Sequence, residues 1–224
     1  MKPEERVRYL RQTIFPPLGE AGQEKLLAAH VLIVGCGATG SVVANTLARA
    51  GVGHLTIADR DFIELNNLQR QILFDVDDIS AGVPKAVAAA NKLKRANPGI
   101  TIEPVVADVN AENIEELVED AQLVLDGTDN FETRYLVNDA CLKYGIPWVY
   151  GGAVGSYGAS LTIIPHQTAC FRCMFPNAPA PGPFPNTYGR GKSFSSRSGT
   201  PPCAPAEPSG TAFSAPAGSG NRSQ

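Results

Sequence analysis

The sequence lacks three features: an excess of positive charge, a long uninterrupted hydrophobic run and, beyond Ile164, any leucine, isoleucine or valine. Its 224 residues include 19 lysines and arginines against 22 aspartates and glutamates, a net charge of -3, so we expect no nucleic-acid binding. Glycines and polar residues interrupt the apolar stretch from Val31 to Val52, so no membrane span is predicted. The N-terminal MKPEERVRYLRQ is charged and has no apolar core of a signal peptide, which predicts a cytoplasmic protein.

Cysteines and histidines are also few. Without a secretion signal, the five cysteines fit reduced thiols or metal ligands better than a disulfide framework. We expect His30, His54 and His166, which are scattered along the chain, to be surface or packing residues. Cys170 and Cys173 have the spacing of half a tetrahedral zinc site, and such a site needs a second pair of ligands.

From His30 to about Ile164, short apolar runs alternate with amphipathic stretches. Continuous Val/Ile/Leu runs are typical of parallel strands covered on both faces. The predicted strands are VLIVG, HLTIAD, TIEPVVAD, AQLVLDG and IPWVY, and the predicted helices are TGSVVANTLARAG, GVPKAVAAANKLKRANP, NAENIEELVED and NFETRYLVNDACLKYG. This order predicts an α/β fold, a doubly wound, Rossmann-like and mainly parallel sheet with helices on both faces.

The last part of the chain has a different composition. Residues 181 to 224 contain 23 prolines, glycines and serines among 44, and without branched aliphatic side chains they cannot form a core. We therefore divide the chain into an N-terminal helical segment (1–29), a nucleotide-binding domain (30–176) and a tail expected to be disordered (177–224). A natural flexible tail would account for this composition.

A glycine-rich turn follows the first predicted strand. Gly35, Gly37 and Gly40 form a G-x-G-x-x-G pattern between a strand and a helix, where glycine permits close approach of phosphate to backbone N–H groups. With Ala38, they are candidate nucleotide-binding residues. Asp59, at the end of the next strand, is placed to accept hydrogen bonds from ribose hydroxyls. A nicotinamide-dependent dehydrogenase has the same features.

The segment after Asp59 favours a different chemistry. It carries Asn66, Asn67, Arg70 and Lys85, a set that a dinucleotide does not require. Two cations beside a nucleotide fit a reaction at a triphosphate, because negative charge grows as pyrophosphate leaves. The alternative is that Arg70 and Lys85 are ordinary solvated surface cations.

Two aspartates follow another predicted strand, in VLDGTDNFETR. Asp126 and Asp129 lie at the carboxyl edge of the predicted sheet, where ligands bind in open parallel sheets. A carboxylate here can hold Mg²⁺ against phosphates, and it can also simply cap the helix that starts near Asn130.

Together these residues resemble the MoeB/ThiF/HesA group of ubiquitin-activating-enzyme-like adenylyltransferases. The resemblance runs in order from about residue 5 to 176 through RYLRQ, the glycine turn, AGVGHLTIADRD, NNLQRQ, VPK, DGTDN and CFRC. It implies an enzyme that uses ATP and Mg²⁺ to adenylate the C-terminal glycine carboxylate of a ubiquitin-like sulfur-carrier protein of the MoaD/ThiS type, which ends in Gly-Gly, with release of pyrophosphate. It also implies a homodimer.

The resemblance implies the following residue roles. Asp59 would hold the ribose, Asn66, Asn67 and Arg70 the phosphates, Lys85 the developing charge and Asp129 the metal. Asn130 would also bind the nucleotide. Arg11 would reach across the homodimer into the partner's ATP site. Cys36, within the glycine turn, is expected to be a packing residue.

The chain departs from this family after CFRC. Relatives carry a second Cys-x-x-Cys that completes the zinc site and an Ala-Gly-Val motif between the two pairs, and this chain has neither; Cys203 stands alone. We therefore expect little zinc to bind and part of the family fold to be missing. Codons that encode YGRG, at 188 to 191, can encode Thr-Ala-Gly-Val when they are read one base later. This suggests the hypothesis that the tail is a frameshifted translation.

Two alternatives to an active adenylyltransferase stay open. The chain could be an inactive remnant that binds ATP or a carrier protein without chemistry, which pyrophosphate exchange would detect. It could also be a Rossmann NAD(P)-dependent oxidoreductase, although Arg70, Lys85 and Asp129 argue against it. The sequence does not identify the carrier protein or the sulfur donor.

Overall fold

A computed structural model describes residues 1–154 and 156–176, and a six-stranded sheet runs through its centre. The strands are β1 (His30–Val34), β2 (His54–Ala58), β3 (Thr101–Val105), β4 (Leu123–Asp126), β5 (Trp148–Val154) and β6 (Tyr157–Ile163). The helices are α1 (Pro3–Arg8), α2 (Leu10–Thr13), α3 (Gly19–Ala28), α4 (Ala38–Ala50), α5 (Val76–Ala81), α6 (Lys85–Ala96), α7 (Ile114–Glu119), α8 (Phe131–Tyr144) and α9 (Phe171–Met174). The predicted tail 177–224, with Cys203, lies outside the described residues.

The strand order is β3-β2-β1-β4-β5-β6. Strands β1 to β5 are parallel, and β6 is antiparallel to β5. The five predicted strands and four predicted helices are confirmed, and so is the doubly wound, mainly parallel sheet. Strand β6 was not predicted. Among the helices that the structure describes, none has the length and apolar character needed to cross a membrane.

Side chains of strand β1 alternate between two hydrophobic layers. Val31 and Ile33 pack with α4 and α6 on one face, in a layer that includes the buried alanines of both helices. Leu32 and Val34 pack on the other face with α7, α8 and α9. Because successive strand residues point to opposite faces, a strand covered on both sides is apolar at most of its positions.

The N-terminal helices are fastened to the body by buried polar contacts. Tyr9 is 2% exposed, and its hydroxyl accepts a hydrogen bond from Asn97 Nδ2 at 2.8 Å. The carbonyl of Ala50, the last residue of α4, accepts hydrogen bonds from Gln12 at 3.0 Å and from Gln23 at 2.9 Å. Segment 1–28 therefore packs against the C-terminal ends of α4 and α6.

The histidines of β1 and β2 pack against each other, as expected. The rings of His30 and His54 stack with centroids 3.8 Å apart, at the start of each strand. His30 Nδ1 lies 2.9 Å from the carbonyl oxygen of Asp120, which can only accept, so this nitrogen carries the proton. The pair lies at the sheet edge opposite to the carboxyl ends of the strands.

Candidate functional site

The candidate site lies at the carboxyl edge of the sheet, where β1 has β2 on one side and β4 on the other. The glycine turn follows β1, Asp59 follows β2, and the loop 127–130 follows β4. The chain reverses its direction of winding between β1 and β4, and ligands of doubly wound sheets bind at this point. Three separate segments of the predicted site therefore meet at one place.

Two of the three turn glycines are needed for packing. A Cβ on Gly40 would lie 1.9 Å from the carbonyl oxygen of Gly35, and a Cβ on Gly35 would lie 2.7 Å from the carbonyl oxygen of Gly127. Gly35 also has a φ of 90°, which other residues rarely adopt. These contacts join the turn after β1 directly to the loop after β4.

Gly37 differs from the other glycines of the turn. The atoms nearest to a Cβ placed there, Gln71 Nε2 and the Gly127 carbonyl oxygen, are both 3.9 Å away. Packing does not require a glycine at this position, because the space beside it is open. Backbone N–H groups at the start of α4, which begins at Ala38, can therefore be approached closely by a phosphate group.

Asp59 is held in place by backbone groups on both sides. Its Oδ2 accepts a hydrogen bond from the N–H of Cys36 at 2.6 Å, and its Oδ1 accepts one from the N–H of Asp61 at 2.8 Å. Burial raises the pKa of Asp59, and these hydrogen bonds and the charge of Lys85 oppose that rise. Each carboxylate oxygen keeps a lone pair that can accept from a ribose hydroxyl.

Cys36 is a buried packing residue, as expected. Its side chain is fully buried, and burial, followed by the charge of Asp59, raises the pKa of its thiol to about 12. A thiol with such a pKa is not a nucleophile at neutral pH.

Lys85 is not the solvated surface cation that the sequence left as an alternative. It is 6% exposed, and its Nζ donates to Asp61 Oδ2 at 2.9 Å. Asp61 also donates its backbone N–H to Asp59 Oδ1 at 2.8 Å, and the charge of Lys85 lowers the pKa of Asp59 and of Cys36. The structure thus brings Lys85 beside Asp59, the predicted ribose ligand, through Asp61. Sequence reasoning missed Asp61, whose partner lies 24 residues away along the chain.

The asparagines and the arginine after β2 form a self-contained loop. Asn67 is buried, its Oδ1 accepts from the N–H of Glu64 at 3.0 Å, and its Nδ2 donates to Asn66 Oδ1 at 2.7 Å. These bonds shape the short 3-10 helix Leu65–Asn67. Arg70 is exposed and donates to the carbonyl of Asn66 at 2.8 Å, so its guanidinium can leave this contact for a phosphate at little cost.

Gln71, which sequence reasoning did not select, is the residue of this loop nearest to Gly37. It is 3% exposed, and its Oε1 has no hydrogen-bond partner in the part of the chain that the structure describes. A buried amide oxygen without a partner is costly, and it marks a position where a ligand hydroxyl or amino group can bind. Its identity as a polar residue is visible in the sequence, but its burial is not.

In the loop after β4, the structure separates two aspartates that look alike in sequence. Asp126 is 4% exposed and accepts from Arg134 Nε at 2.8 Å, so the guanidinium already compensates the charge of its carboxylate. Asp129 is exposed, and its carboxylate has no hydrogen bond or ion pair among the described residues. Asn130, not an aspartate, caps α8 through its Oδ1, which accepts from the N–H of Thr133 at 2.8 Å. Asp129 is therefore the carboxylate that remains available to a cation.

The structure does not bring Arg11 to the site of its own chain. Arg11 is exposed on α2 and has no hydrogen bond or ion pair within residues 1–154 and 156–176. Its neighbour Gln12 contacts Ala50 at the end of α4. Helix α4 is 13 residues long, so the glycine turn at its start is about 20 Å away.

Cys170 and Cys173 have the geometry of two zinc ligands. Their Sγ atoms are 3.5 Å apart, close to the separation of about 3.8 Å expected for two thiolates bonded at about 2.3 Å to one tetrahedral zinc. The described segments contain no cluster of three or more histidines, cysteines, aspartates or glutamates that could hold a metal.

Sheet order, glycine turn and Asp59 define a Rossmann-like nucleotide-binding protein. Comparison with known families narrows this class: the ThiF family matches residues 9–193, and the chain belongs to that family. Membership of this family does not favour the oxidoreductase alternative.

Curated relatives and solved structures agree with this assignment. The chain is similar to the sulfur carrier protein ThiS adenylyltransferase of Bacillus subtilis, with 48% identity over 81% of this chain and 54% of the relative. It is also similar to the SAMP-activating enzyme E1 of Haloferax volcanii, with 42% identity over 80% of this chain and 65% of the relative. A crystal structure of E. coli MccB with AMPCPP and MccA has 31% identity, a TM-score of 0.63 and coverage of 67% of this chain and 45% of MccB. The chain thus spans about half to two thirds of the length of these proteins.

Proposed function

We propose that the chain is an ATP-dependent adenylyltransferase that activates the C-terminal glycine carboxylate of a ubiquitin-like sulfur-carrier protein and releases pyrophosphate. The observation that carries the proposal is the meeting of Gly37, Asp59, Lys85 and the loop of Asp129 at one sheet edge. The names of the relatives, a ThiS adenylyltransferase and a SAMP-activating enzyme, support the same activity and the same kind of carrier.

In this proposal ATP lies across the carboxyl edge of the sheet. Asp59 accepts hydrogen bonds from the ribose, and the start of α4 beside Gly37 and Ala38 receives phosphate oxygens. Asn66, Arg70 and Asn130 border the phosphates, while Asn67 acts by shaping the loop. The open space at Gly37 and the unpartnered Oε1 of Gln71 fit a bound nucleotide.

The chemistry needs no general base, because a peptide C-terminus is already ionised at neutral pH. One carboxylate oxygen attacks the α-phosphorus of ATP, an acyl phosphate bond forms, and the bond to the bridging oxygen breaks with release of pyrophosphate. Lys85 and Arg70 stabilise the charge that develops on the transferring group. Asp129 would hold Mg²⁺, which would supply charge neutralisation to the phosphates. Asp61 holds Lys85 in position until ATP is present.

The proposed partners follow from the relatives and from exposed surface. The carrier ends in Gly-Gly, and the protein acts in the cytoplasm as a homodimer. Four large apolar side chains on and beside α1 and α2 are more than half exposed, which favours burial against a second copy: Val7, Leu10, Ile14 and Phe15. Arg11 lies among them and, about 20 Å from its own site, would serve the partner's. Cys170 and Cys173 would bind zinc weakly when no second pair completes the site.

An exchange assay tests the proposal. The 224-residue chain, a Gly-Gly-ended carrier, Mg²⁺ and ATP should incorporate labelled pyrophosphate into ATP, and Asp129→Ala should abolish this exchange while folding is retained, because Asp129 is exposed. Glu116→Ala, an exposed carboxylate on α7, is the matched control and should exchange normally. ATP binding without exchange would favour the inactive remnant, and unchanged exchange in Asp129→Ala would remove that residue from the mechanism.

A further inference from the structure

A buried arginine lies behind the loop that carries Asp129. Arg134, in the first turns of α8, is 6% exposed. Its Nε donates to Asp126 Oδ2 at 2.8 Å, and one terminal nitrogen donates to the carbonyl of Thr128 at 2.6 Å and to that of Gly151 at 3.2 Å. One guanidinium therefore connects the end of β4, the following loop and β5.

The same arginine is enclosed by aromatic rings and by a second set of hydrogen bonds. Its guanidinium carbon lies 4.9 Å from the ring centroid of Tyr150 and 5.5 Å from that of Phe131. Asp126 Oδ1 accepts from both the N–H and the hydroxyl of Thr128, at 2.8 and 2.7 Å. The loop 127–130 is thus hydrogen-bonded to the Arg134–Asp126 pair, and the aromatic rings of Tyr150 and Phe131 pack against its guanidinium.

These contacts flank Asp129 on both sides. The preceding residue, Thr128, is held by Arg134 and Asp126, and the following residue, Asn130, is held as the cap of α8. The side chain of Asp129 has no fixing contact of its own among the described residues, so its position depends on its neighbours. We propose that Arg134 is a positioning residue that presents the Asp129 carboxylate to the metal of the bound nucleotide. This inference rests on the proposed function.

A structural role alone accounts less well for an arginine here. A buried ion pair adds little net stability, because the loss of hydration offsets much of the attraction between the charges. What the guanidinium supplies is geometry: a planar fork reaches a carboxylate and two carbonyls at once, which a lysine ammonium does not. Arg134→Lys therefore keeps the charge and loses the alignment.

The test separates ATP binding from its dependence on metal. The dissociation constant of ATP is measured by titration calorimetry in EDTA and in excess Mg²⁺, and the ratio of the two is the metal-dependent gain in affinity. In Arg134→Lys this gain should fall by about tenfold, as expected when a charge-assisted hydrogen bond is lost, while affinity in EDTA stays within about twofold. Asp129→Asn should lose the gain as well, and the double variant should lose no more than Asp129→Asn alone.

Arg172→Lys is the matched control. Arg172 also pairs with an aspartate, Asp139 of α8, and lies 4.8 Å from an aromatic centroid, but it is exposed and does not contact the loop. The metal-dependent gain in ATP affinity of Arg172→Lys should equal that of the original chain. If Arg134→Lys does not fold, Thr128→Val removes only the hydroxyl donor to Asp126 and should lower the gain about fivefold.

The outcomes separate the proposed function from the role of Arg134. If the original chain shows no metal-dependent gain, the proposed function fails. If the original chain shows a gain that Asp129→Asn removes, but both Arg134→Lys and Thr128→Val keep it, the function stands and the role of Arg134 is wrong. A loss of equal size in EDTA and in Mg²⁺ would also overturn that role, because it would indicate general damage to the site.

Discussion

Lys85 Nζ donates to Asp61 Oδ2 at 2.9 Å, and the two side chains differ in burial: the lysine is 7% exposed and the aspartate 56%. The pair therefore compensates a buried positive charge before any nucleotide binds. Phosphate oxygens could replace this aspartate as the partner of Lys85, since Asp61 is hydrated readily when it is released. The charge at the centre of the proposed site is thus fixed in advance.

Replacing Lys85 by methionine should lower the rate of ATP–pyrophosphate exchange by about 10² to 10³, because one preorganised charge at the reacting phosphate is lost. Folding should be retained, since Asp61 stays hydrated. Thermal unfolding and exchange are measured together. Lys92→Met is the control, because Lys92 is also largely buried and pairs with Asp75 and Asp78. Lys92 is not one of the proposed site residues, so exchange in this variant should be normal. Equal exchange in both variants would contradict the role of Lys85.

Alanine substitutions should separate the two functions of the turn glycines. Gly40→Ala should destabilise the fold by several kcal/mol, since its Cβ would lie 1.9 Å from a backbone oxygen. Gly37→Ala should fold normally, because among the described residues beyond its chain neighbours the nearest atoms lie 3.9 Å from the new methyl group, but its affinity for ATP should fall about tenfold or more. Thermal unfolding and ATP titration give the two readouts. An ATP affinity of Gly37→Ala equal to that of the original chain would place the phosphates elsewhere.

Complementation tests whether Arg11 acts in the partner's site. Arg11→Ala and Lys85→Met should each lower exchange by about 10² or more alone. Mixed and reassembled, half of the dimers combine both chains and contain one intact site, so exchange should return to about a quarter of the original rate. If Arg11 instead served its own site, each mixed dimer would contain one site without Lys85 and one without Arg11, and no activity would return. Co-assembly is verified by differently tagged chains.

Cys36 should resist alkylation in the folded chain. Burial and the charge of Asp59 raise the pKa of its thiol to about 12, so at pH 8 only about one molecule in 10⁴ carries a thiolate there. Burial of the neutral thiol stabilises the fold below the ordinary thiol pKa, and this contribution is lost as the pH rises towards 12. Peptide mapping after iodoacetamide treatment should detect modification of Cys36 in urea but not in buffer. Equal rates in both would show that the turn opens.

Most of the sheet was predictable because its central strands are covered on both faces. Strands β1, β2 and β4 and the start of β5 read as mainly apolar runs, and in a chain with helices between such runs they indicate buried parallel strands. Strand β3, TIEPV, lies at the edge of the sheet and exposes Thr101 and Glu103, so its prediction depended on its place between two helical patterns. Strand β6 escaped prediction because its sequence, YGASLTI, is small and polar over much of its length and is mostly exposed at the sheet edge. Helix α5, Val76–Ala81, is too short for a periodic pattern and was also missed.

The site was only partly predictable, because sequence gives residue types but not burial. Asp59 and the glycine turn follow from a motif with a fixed place in the fold. Asp61, Gln71 and Arg134 look like ordinary surface residues until their burial or their partners are known. The sequence offered Asp126 and Asp129 as similar candidates, and only the ion pair of Asp126 with Arg134 separates them.

The hydrogen bond between Tyr9 and Asn97 joins the N-terminal helices to the end of α6. A chain shortened to begin at His30 would leave the Asn97 amide and the Ala50 carbonyl facing water in a newly exposed hollow. Arg11 therefore lies on a helix that is held against the body of the protein by hydrogen bonds. Two copies that meet through this surface would already hold their arginines at a set distance from each other's nucleotide, before either substrate arrives.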